Sequence, residues 1–261
     1  MSEDYTQYLV NVKSVQSGAV RVLVEALKEI LTDTNIVFDE TGIKLMATDT
    51  SHSVLIHMKL HADKFEHFHC PKKTVIGVNM NNMFKLIKTM GNNDILTVFI
   101  EKKDPNRIGF KINNLDKQSQ TVFRMNLLDI NEDEINVPPA KFETELTLPS
   151  ADFQKIVRDM TNIGETIEIK SSGSNLILGC EGDFANQETI LSETQDGLSF
   201  SVKSKPENPI QGFFSLKYLL LFTKCTNLCN LLHIYIKNDY PLIIRYDVAN
   251  LGQVKLCLSP N

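Results

Sequence analysis

An internal duplication constrains this chain more than any other feature of its sequence. Residues 78–112 predict a short helix that carries lysines, followed by two alternating strands, and residues 213–248 repeat that order. Residues 19–60 and 151–191 form an earlier matching pair, each a helix followed by strands. Because each half repeats one order of elements, we predict an α+β chain made of two like domains in tandem.

The bulk properties agree with two domains. The chain has 261 residues, enough for each half to bury its own core. A hydrophobic content of 42% and a charged content of 23% are typical of a globular protein. The apolar run Tyr218–Phe222 is far too short to span a membrane, and no signal peptide begins the chain. We therefore expect no membrane partner.

The cysteine content and the net charge indicate the compartment of the chain and the partners that it can bind. Five cysteines form an odd set without framework spacing, which favours reduced thiols in a nucleus or cytosol. The net charge of −5 argues against indiscriminate binding of nucleic acid. A local basic surface remains compatible with that value, because the distribution of charge decides which partners bind.

Strands dominate the predicted elements, and glycine-containing turns separate several of them. The segments Asp39–Gly42 and Ser171–Ser174 are predicted as equivalent turns in the two halves. Ser150 is predicted as the N-cap of a helix over Ala151–Asn162. The predicted strands are Tyr8–Val12, Asn35–Phe38, Gly42–Thr48, Ser53–Leu60, Glu143–Leu148, Thr166–Lys170, Leu176–Cys180 and Glu188–Ser192.

A distinct segment joins the two halves. Residues 128–141 are acidic, then apolar, then interrupted by two consecutive prolines, which suits an extended connector. One interpretation is a solvated linker. The alternative is that the connector lies against a surface, because Ile135 and Val137 alternate on one side of it.

The four predicted helices each carry a pair of basic residues three or seven positions apart, which places each pair on roughly one helical face. A solvated polar face would explain any single pair, and Glu25 and Glu29 dilute the charge of the first helix. In an acidic chain, however, four such pairs indicate segregated basic charge that suits contact with phosphates and carries no sequence information. The pairs are Arg21 and Lys28, Lys85 and Lys88, Lys155 and Arg158, and Lys217 and Lys224.

Catalytic motifs are missing from the sequence. It contains no glycine-rich phosphate loop, no Gly-x-Ser-x-Gly and no His-Glu-x-x-His. The run His67–Cys70 resembles half of a zinc site, but no second ligand pair follows at the spacing of a zinc finger. Cys225 and Cys229 are expected to be packed thiols, and Asp49–His52 contains the residue types of a triad without evidence of its geometry. We expect no catalysis, no metal and no cofactor.

Several stretches, in order and at matching separations, resemble the proliferating cell nuclear antigen (PCNA) family of sliding clamps. The resemblance covers nearly the whole chain. The stretches are Val24–Ile30, Met46–His52, Gly77–Met80, Lys85–Asp94, Phe153–Met160, Leu219–Thr226 and Leu258–Pro260.

The resemblance implies an architecture and a function. Members of the family carry two domains per subunit and form closed trimeric rings, with sheets outside and helices lining the hole. The implied domains are residues 1–127 and 143–261, joined by a connector over 128–142. The implied function is that of a DNA polymerase processivity factor that encircles duplex DNA without sequence preference. The residues facing DNA would be Arg21, Lys28, Lys85, Lys88, Lys155, Arg158, Lys217 and Lys224.

The resemblance also implies partners. A pocket beside the connector would receive short peptides from polymerases, nucleases and ligases, and a clamp loader would place the ring on DNA. The implied compartment is the nucleus, or a viral replication site. Leu256, Leu258 and Pro260 would form one wall of the pocket. The implied peptide-binding residues are His52, Leu55, Ile135, Val137, Pro138, Phe142, Pro241, Leu258 and Pro260.

Subunit contacts are expected at exposed strand edges. A sheet that ends in an unpaired strand can accept another strand, and the segment 121–126 alternates without proline. We predict that residues 121–130 of one copy pair with residues 188–194 of the next, giving a homotrimer. The predicted interface residues are Val122, Arg124, Asn126, Thr189 and Leu191.

Departures from the family pattern indicate a divergent clamp, of the kind that a large DNA virus encodes. Val22 and Asn126 replace basic residues, which predicts a less positive hole. Cys257 and Thr48 replace bulkier residues, which predicts a roomier pocket. Gly173 stands where the family has the lysine that accepts ubiquitin, and about seven residues precede the expected first strand. The alternative functions are a subunit of a heterotrimeric damage-response clamp and a monomeric viral polymerase accessory factor.

Overall fold

The computed structural model describes residues 5–131, 135, 137 and 140–261. The chain divides into two compact units. The first contains the chain up to Ala47 together with His57–Ile135 and Asp247–Val254. The second contains Thr48–Ile56, Asn136–Tyr246 and Lys255–Asn261. No helix in the described ranges is both long enough and apolar enough to cross a membrane.

Strands outnumber helices along the described chain, as the sequence predicted. The helices are α1 (Ser17–Leu27), α2 (Met80–Ile87), α3 (Ser150–Met160) and α4 (Leu216–Phe222), with 3-10 turns at Tyr5–Gln7, Ala62–Lys64 and Thr223–Leu228. The strands up to the connector are β1 (Tyr8–Ser14), β2 (Asp33–Asp39), β3 (Gly42–Thr48), β4 (Val54–His61), β5 (His67–His69), β6 (Thr74–Asn79), β7 (Ile95–Glu101), β8 (Asp104–Asn114) and β9 (Ser119–Asn126). The strands after it are β10 (Thr144–Pro149), β11 (Thr166–Ser172), β12 (Asn175–Glu181), β13 (Asn186–Ser192), β14 (Ser199–Val202), β15 (Ile210–Ser215), β16 (Leu231–Ile236), β17 (Leu242–Val248) and β18 (Gly252–Leu258).

The first unit packs its two helices against antiparallel strands. One set runs in the order β5-β1-β7-β8-β9, and the other in the order β4-β3-β2-β6. Helix α1 lies against α2, and the apolar stripe of α1 contributes Leu23, Val24 and Leu27 to the core. A cavity of about 80 Å³, lined only by apolar side chains, remains within this core.

The second unit repeats this arrangement. Its strands run in the orders β14-β10-β16-β17-β18 and β13-β12-β11-β15, and α3 packs against α4. The order of strands therefore matches the first unit element by element. Phe153, Phe214 and Tyr246 are fully buried in this core. The duplication read from the sequence is thus confirmed at the level of topology.

Alternating burial explains the strands and the turns between them. Strand β4 alternates strictly between buried and half-buried positions, as expected for a strand with one face on a core. The predicted turns are confirmed, because Asp39 pairs with Gly42 and Ser172 pairs with Asn175. Gly42 (φ 141°) and Gly173 (φ 60°) have backbone conformations that a residue with a Cβ rarely adopts.

The helix ends differ in part from the predictions. Asn79 caps α2, since its Oδ1 accepts a hydrogen bond from the Asn82 amide (2.9 Å). The prediction that Ser150 caps α3 is wrong: Pro149 occupies the cap position, and Ser150 is the first helical residue with a buried, unpaired hydroxyl. Helix α4 ends at Phe222, so Lys224 lies in the following 3-10 turn rather than on the same α-helix as Lys217.

The five cysteines are free thiols, in keeping with the sequence analysis. Burial raises the pKa of the Cys225 thiol to about 12 and that of Cys257 to about 11. Both therefore stay protonated at neutral pH. The run His67–Cys70 begins as strand β5, where Tyr5 stacks on His67 with ring centroids 3.8 Å apart. Within the described part of the chain, no group of three or more His, Cys, Asp or Glu side chains is placed to hold a metal ion.

Candidate functional site

The basic residues of the first unit differ in how freely they face solvent. Lys85 on α2 and Lys88 at its C-cap are exposed. Arg21 is half-buried, and its Nη2 donates a hydrogen bond to Asn92 Oδ1 (3.1 Å). Lys28, at the C-cap of α1, pairs with Glu29 and lies 5.1 Å from the centroid of the Phe84 ring. The α2 pair is thus more available to an external anion than the α1 pair.

The four residues of the second unit that are predicted to contact DNA are all exposed. Lys155 and Arg158 lie one turn apart on α3. Lys217 lies in the first turn of α4, with its ammonium 5.5 Å from the centroid of the Tyr218 ring, and Lys224 follows in the 3-10 turn. Among the eight predicted DNA-contacting residues, Lys28 is the one that forms a salt bridge with a described residue, the adjacent Glu29. This unit therefore presents four cations in neighbouring elements.

In each unit, one sheet ends in a strand that has a partner on one side and an open edge on the other. Strand β9 pairs with β8 on one side only, and its Val122, Arg124 and Asn126 are exposed while Phe123 and Met125 are half-buried. Arg124 also lies 3.6 Å from the Glu101 carboxylate and stacks over the Phe99 ring. The predicted alternation of this segment is confirmed, although the strand ends at Asn126 rather than continuing to Ile130.

Strand β13 is the corresponding edge of the second unit. It pairs with β12 on one side, and Thr189 and Leu191 are half-buried on its inner row. Its outer row contains Glu188 and Ile190, and Ile190 is 56% exposed. Sequence analysis missed Ile190, because the alternation of this strand does not show which row faces the core. Both edges leave backbone N–H and C=O groups open to another strand.

A groove of about 410 Å³ lies within the second unit, which we call the docking groove. Phe213, Tyr240 and Pro260 line it, together with Lys237, Asp239 and Asn261. The chain end is held in place, since the Asn261 amide donates to the Phe213 carbonyl (2.9 Å). Sequence analysis placed Pro260 here but missed Phe213 and Tyr240, although Tyr240 directly precedes the predicted Pro241.

Phe142 anchors the end of the connector on the second unit. Its ring lies 5.4 Å from that of Tyr235 and 5.7 Å from that of Tyr240, which itself lines the docking groove. The connector residues Ile135 and Val137 are 37% and 42% exposed. The predicted Pro138 lies outside the described residues. Among the described connector residues, Phe142 thus packs on aromatic rings, whereas Ile135 and Val137 remain exposed.

Other predicted pocket residues divide into accessible and buried positions. His52 is exposed, whereas Leu55 and Pro241 are half-buried. The expectation that Leu256 and Leu258 form an open wall is wrong, because both belong to the core of the second unit and are at most 1% exposed. On β18 the alternation turns the leucines inward and leaves Cys257 half-buried on the other face.

The Asp49–His52 segment forms a tight local network rather than a triad. Partial burial raises the pKa of Asp49, but hydrogen bonds from Ser51 and the Val54 amide outweigh it, so the pKa lies below its usual value. The Ser51 hydroxyl also bonds Tyr218 Oη (2.7 Å). His52 Nδ1 contacts Thr48 Oγ1 (3.1 Å) and not Ser51, so the serine and the histidine are not paired as they are in a catalytic triad.

Comparisons with known proteins agree with this arrangement of two repeated units. The family model described as "Proliferating cell nuclear antigen, N-terminal domain" matches residues 9–135, and the model of the C-terminal domain matches residues 136–261. The chain is also 34% identical over 261 residues to a "Probable DNA polymerase sliding clamp 1" of Paramecium bursaria Chlorella virus 1, covering 98% of each protein. Because the two domain models together match residues 9–261, the chain belongs to the proliferating cell nuclear antigen family of DNA sliding clamps.

Proposed function

We propose that this chain is a DNA polymerase processivity factor that acts as a closed ring of three identical copies. The observation that carries the proposal is the pair of open edge strands, β9 on one unit and β13 on the other. Two different edges on one chain support head-to-tail pairing, which closes into a ring when the rotation per subunit allows it. The family to which the chain belongs consists of non-catalytic processivity factors, and the viral relative is named for a polymerase clamp.

The exposed basic residues would contact the DNA backbone. They reside on helices and their flanking turns, and none is part of a motif that reads base edges. We expect Lys85, Lys88 and the four basic residues of the second unit to carry most of this contact, because Lys28 is already paired with Glu29 and Arg21 with Asn92. Binding would be weak, independent of sequence and strongly dependent on salt.

Partner enzymes would bind through a short peptide in the docking groove. Phe213 and Tyr240 offer apolar surface for an aromatic anchor, and exposed Ile135 and Val137 on the connector would cover it. An extended peptide could also pair its backbone with the connector. Polymerase, nuclease and ligase are the partner classes that this mode serves, and a loader would open the ring. The site of action would be wherever the DNA is replicated, in the nucleus or a viral replication compartment.

The oligomeric mass tests the proposal most directly. Sedimentation of the purified chain should give three times 29.5 kDa. Met125→Pro removes a donor and adds a rigid residue within β9, so it should shift the mass toward one copy. Asp116→Pro is a matched control, because Asp116 occupies the second position of the turn closed by the Gln118 amide and the Leu115 carbonyl.

The result also separates the alternatives. A stable monomer at micromolar concentration would favour a monomeric accessory factor, and trimers that form only with a second protein would favour a heterotrimeric clamp. Circular dichroism melts of both proline variants are needed, so that loss of the trimer is not mistaken for unfolding.

A further inference from the structure

A second groove crosses the exposed face of the β13-β12-β11-β15 sheet in the second unit. The strand register places Phe213 opposite Glu168, Glu168 opposite Gly179, and Gly179 opposite Glu188. These residues therefore form one row across four strands. The groove has a volume of about 670 Å³ and is also lined by Glu181. We call it the acidic groove.

The acidic groove carries negative charge, of which Glu188 belongs to the edge strand β13 whereas Glu168 and Glu181 belong to β11 and β12. Glu181 and Glu188 are exposed and Glu168 is half-buried. None of the three forms a salt bridge within the described parts of the chain. Carboxylates concentrated along one depression attract cations and repel the phosphates of DNA. The charge thus indicates a cationic occupant.

Gly179 keeps the floor of the acidic groove open. Its φ is not positive, so the backbone conformation does not require glycine there. A Cβ at this position would meet nothing closer than Glu168 Oε2, at 3.7 Å, which is ordinary van der Waals contact. Glycine weakens a strand interior because it offers no side chain to pack. The fold would therefore tolerate a larger residue, and the effect of glycine is to leave space between Glu168 and Glu188 in this row.

The acidic groove is continuous with the docking groove. Phe213 lines both grooves and is 48% exposed. An exposed aromatic ring beside carboxylates suits arginine, whose planar guanidinium stacks on rings while it pairs with an acid. A peptide that leaves the docking groove across Phe213 would place its next residues above Glu168.

We propose that the acidic groove binds basic residues that flank the docking motif of a partner peptide, with arginine preferred over lysine. This inference rests on the proposed function, because it extends the same peptide past Phe213. The groove would then rank partners by the charge of their flanking segments, while the docking groove recognises the motif itself.

Calorimetry with synthetic peptides tests the inference. The core peptide is a clamp-binding peptide of the glutamine-to-aromatic type, and two longer versions add an arginine pair or a lysine pair at each end. The arginine-extended peptide should bind wild type about three- to tenfold more tightly than the core peptide at low salt. Glu168→Gln with Glu181→Gln should remove most of that gain and leave the affinity of the core peptide within about twofold.

Three further variants test separately the charge of the groove, its free space and the aromatic ring of Phe213. Asp196→Asn with Glu207→Gln removes two exposed carboxylates elsewhere in the second unit and should preserve the gain. Gly179→Val should fill the groove, reduce the gain and keep or raise the melting temperature, because valine favours strands. Phe213→Leu should abolish the preference for arginine over lysine.

The failures of the two proposals differ. If the core peptide does not bind wild type, both the proposed docking site and the inference that rests on it are refuted. If the core peptide binds but the basic extension adds nothing, or the Asp196 and Glu207 control loses as much, only the acidic groove is overturned. If Glu168→Gln with Glu181→Gln lowers the sedimentation mass, the groove is a contact between copies of this chain and the inference is again overturned.

Discussion

Replacing the two exposed apolar residues of the connector tests how a partner peptide binds. Ile135→Ser and Val137→Ser together remove apolar surface that is already accessible, since the residues are 37% and 42% exposed. Fully burying such a side chain contributes about 1.5–3 kcal/mol, and only the exposed fraction remains for a peptide to cover. The two changes should then cost about 1–2 kcal/mol of binding free energy, a loss of about 5- to 30-fold in affinity. Ile135→Ser alone should cost about half of that free energy, so a single change weakens binding without abolishing it.

The assay is calorimetry with a clamp-binding peptide, combined with thermal melts and sedimentation. Stability should stay within about 0.5 kcal/mol of wild type, because neither side chain belongs to a core. Val15→Ser with Val202→Ser is a matched control, since these valines are 48% and 37% exposed and neither lies on the strand that the connector bridges. Equal peptide affinity for the connector variant and wild type would refute the assignment, as would an equal loss in the control.

Three further predictions concern DNA contact, acid stability and the buried thiols. Lys85→Ala with Lys88→Ala should lower the slope of log affinity for DNA against log salt by about 1.8, at about 0.9 per phosphate contact. Lys72→Ala with Lys117→Ala, also exposed, should leave the slope unchanged. Burial raises the pKa of Asp39, but hydrogen bonds from Lys44 and Thr41 outweigh it and bring the pKa down to about 2 from 3.8. The contribution of Asp39 to the free energy of unfolding is fully present above pH 3.8 and is lost as the pH falls through 2. Asp39→Asn should therefore make the free energy of unfolding depend less on pH between these two values. Cys225, with a pKa of about 12, should react with iodoacetamide at pH 8 far more slowly in the native chain than in the unfolded one, and equal rates would show that it is not buried.

Much of the fold follows from local patterns in the sequence. Alternating burial in β4 and the glycine turns at Gly42 and Gly173 are set by neighbouring residues, so these strands and the two turns could be predicted. Helix ends were harder to predict. Ser150 has the chemistry of a cap, but the fold places it inside the helix, where its hydroxyl has no partner.

The site was harder to predict than the fold, because it depends on which face of a strand meets the core. Alternation in β18 is visible in the sequence, but its direction is not, and Leu256 and Leu258 proved to face inward. The acidic groove could not be predicted from the sequence either. Glu168, Gly179 and Phe213 are distant in sequence and become neighbours only through strand register.

The charges on the two open edges favour the head-to-tail ring over other assemblies. Arg124 is the one charged residue of β9, and Glu188 is the one charged residue of β13. Pairing of β9 with β9, or of β13 with β13, would bring like charges to a shared edge, which destabilises a sheet. Pairing of β9 with β13 brings opposite charges together, and it leaves neither of these two strands with an open edge once the ring closes. Because an unpaired edge invites aggregation, the same contact that builds the proposed ring also removes the surface most prone to wrong partners.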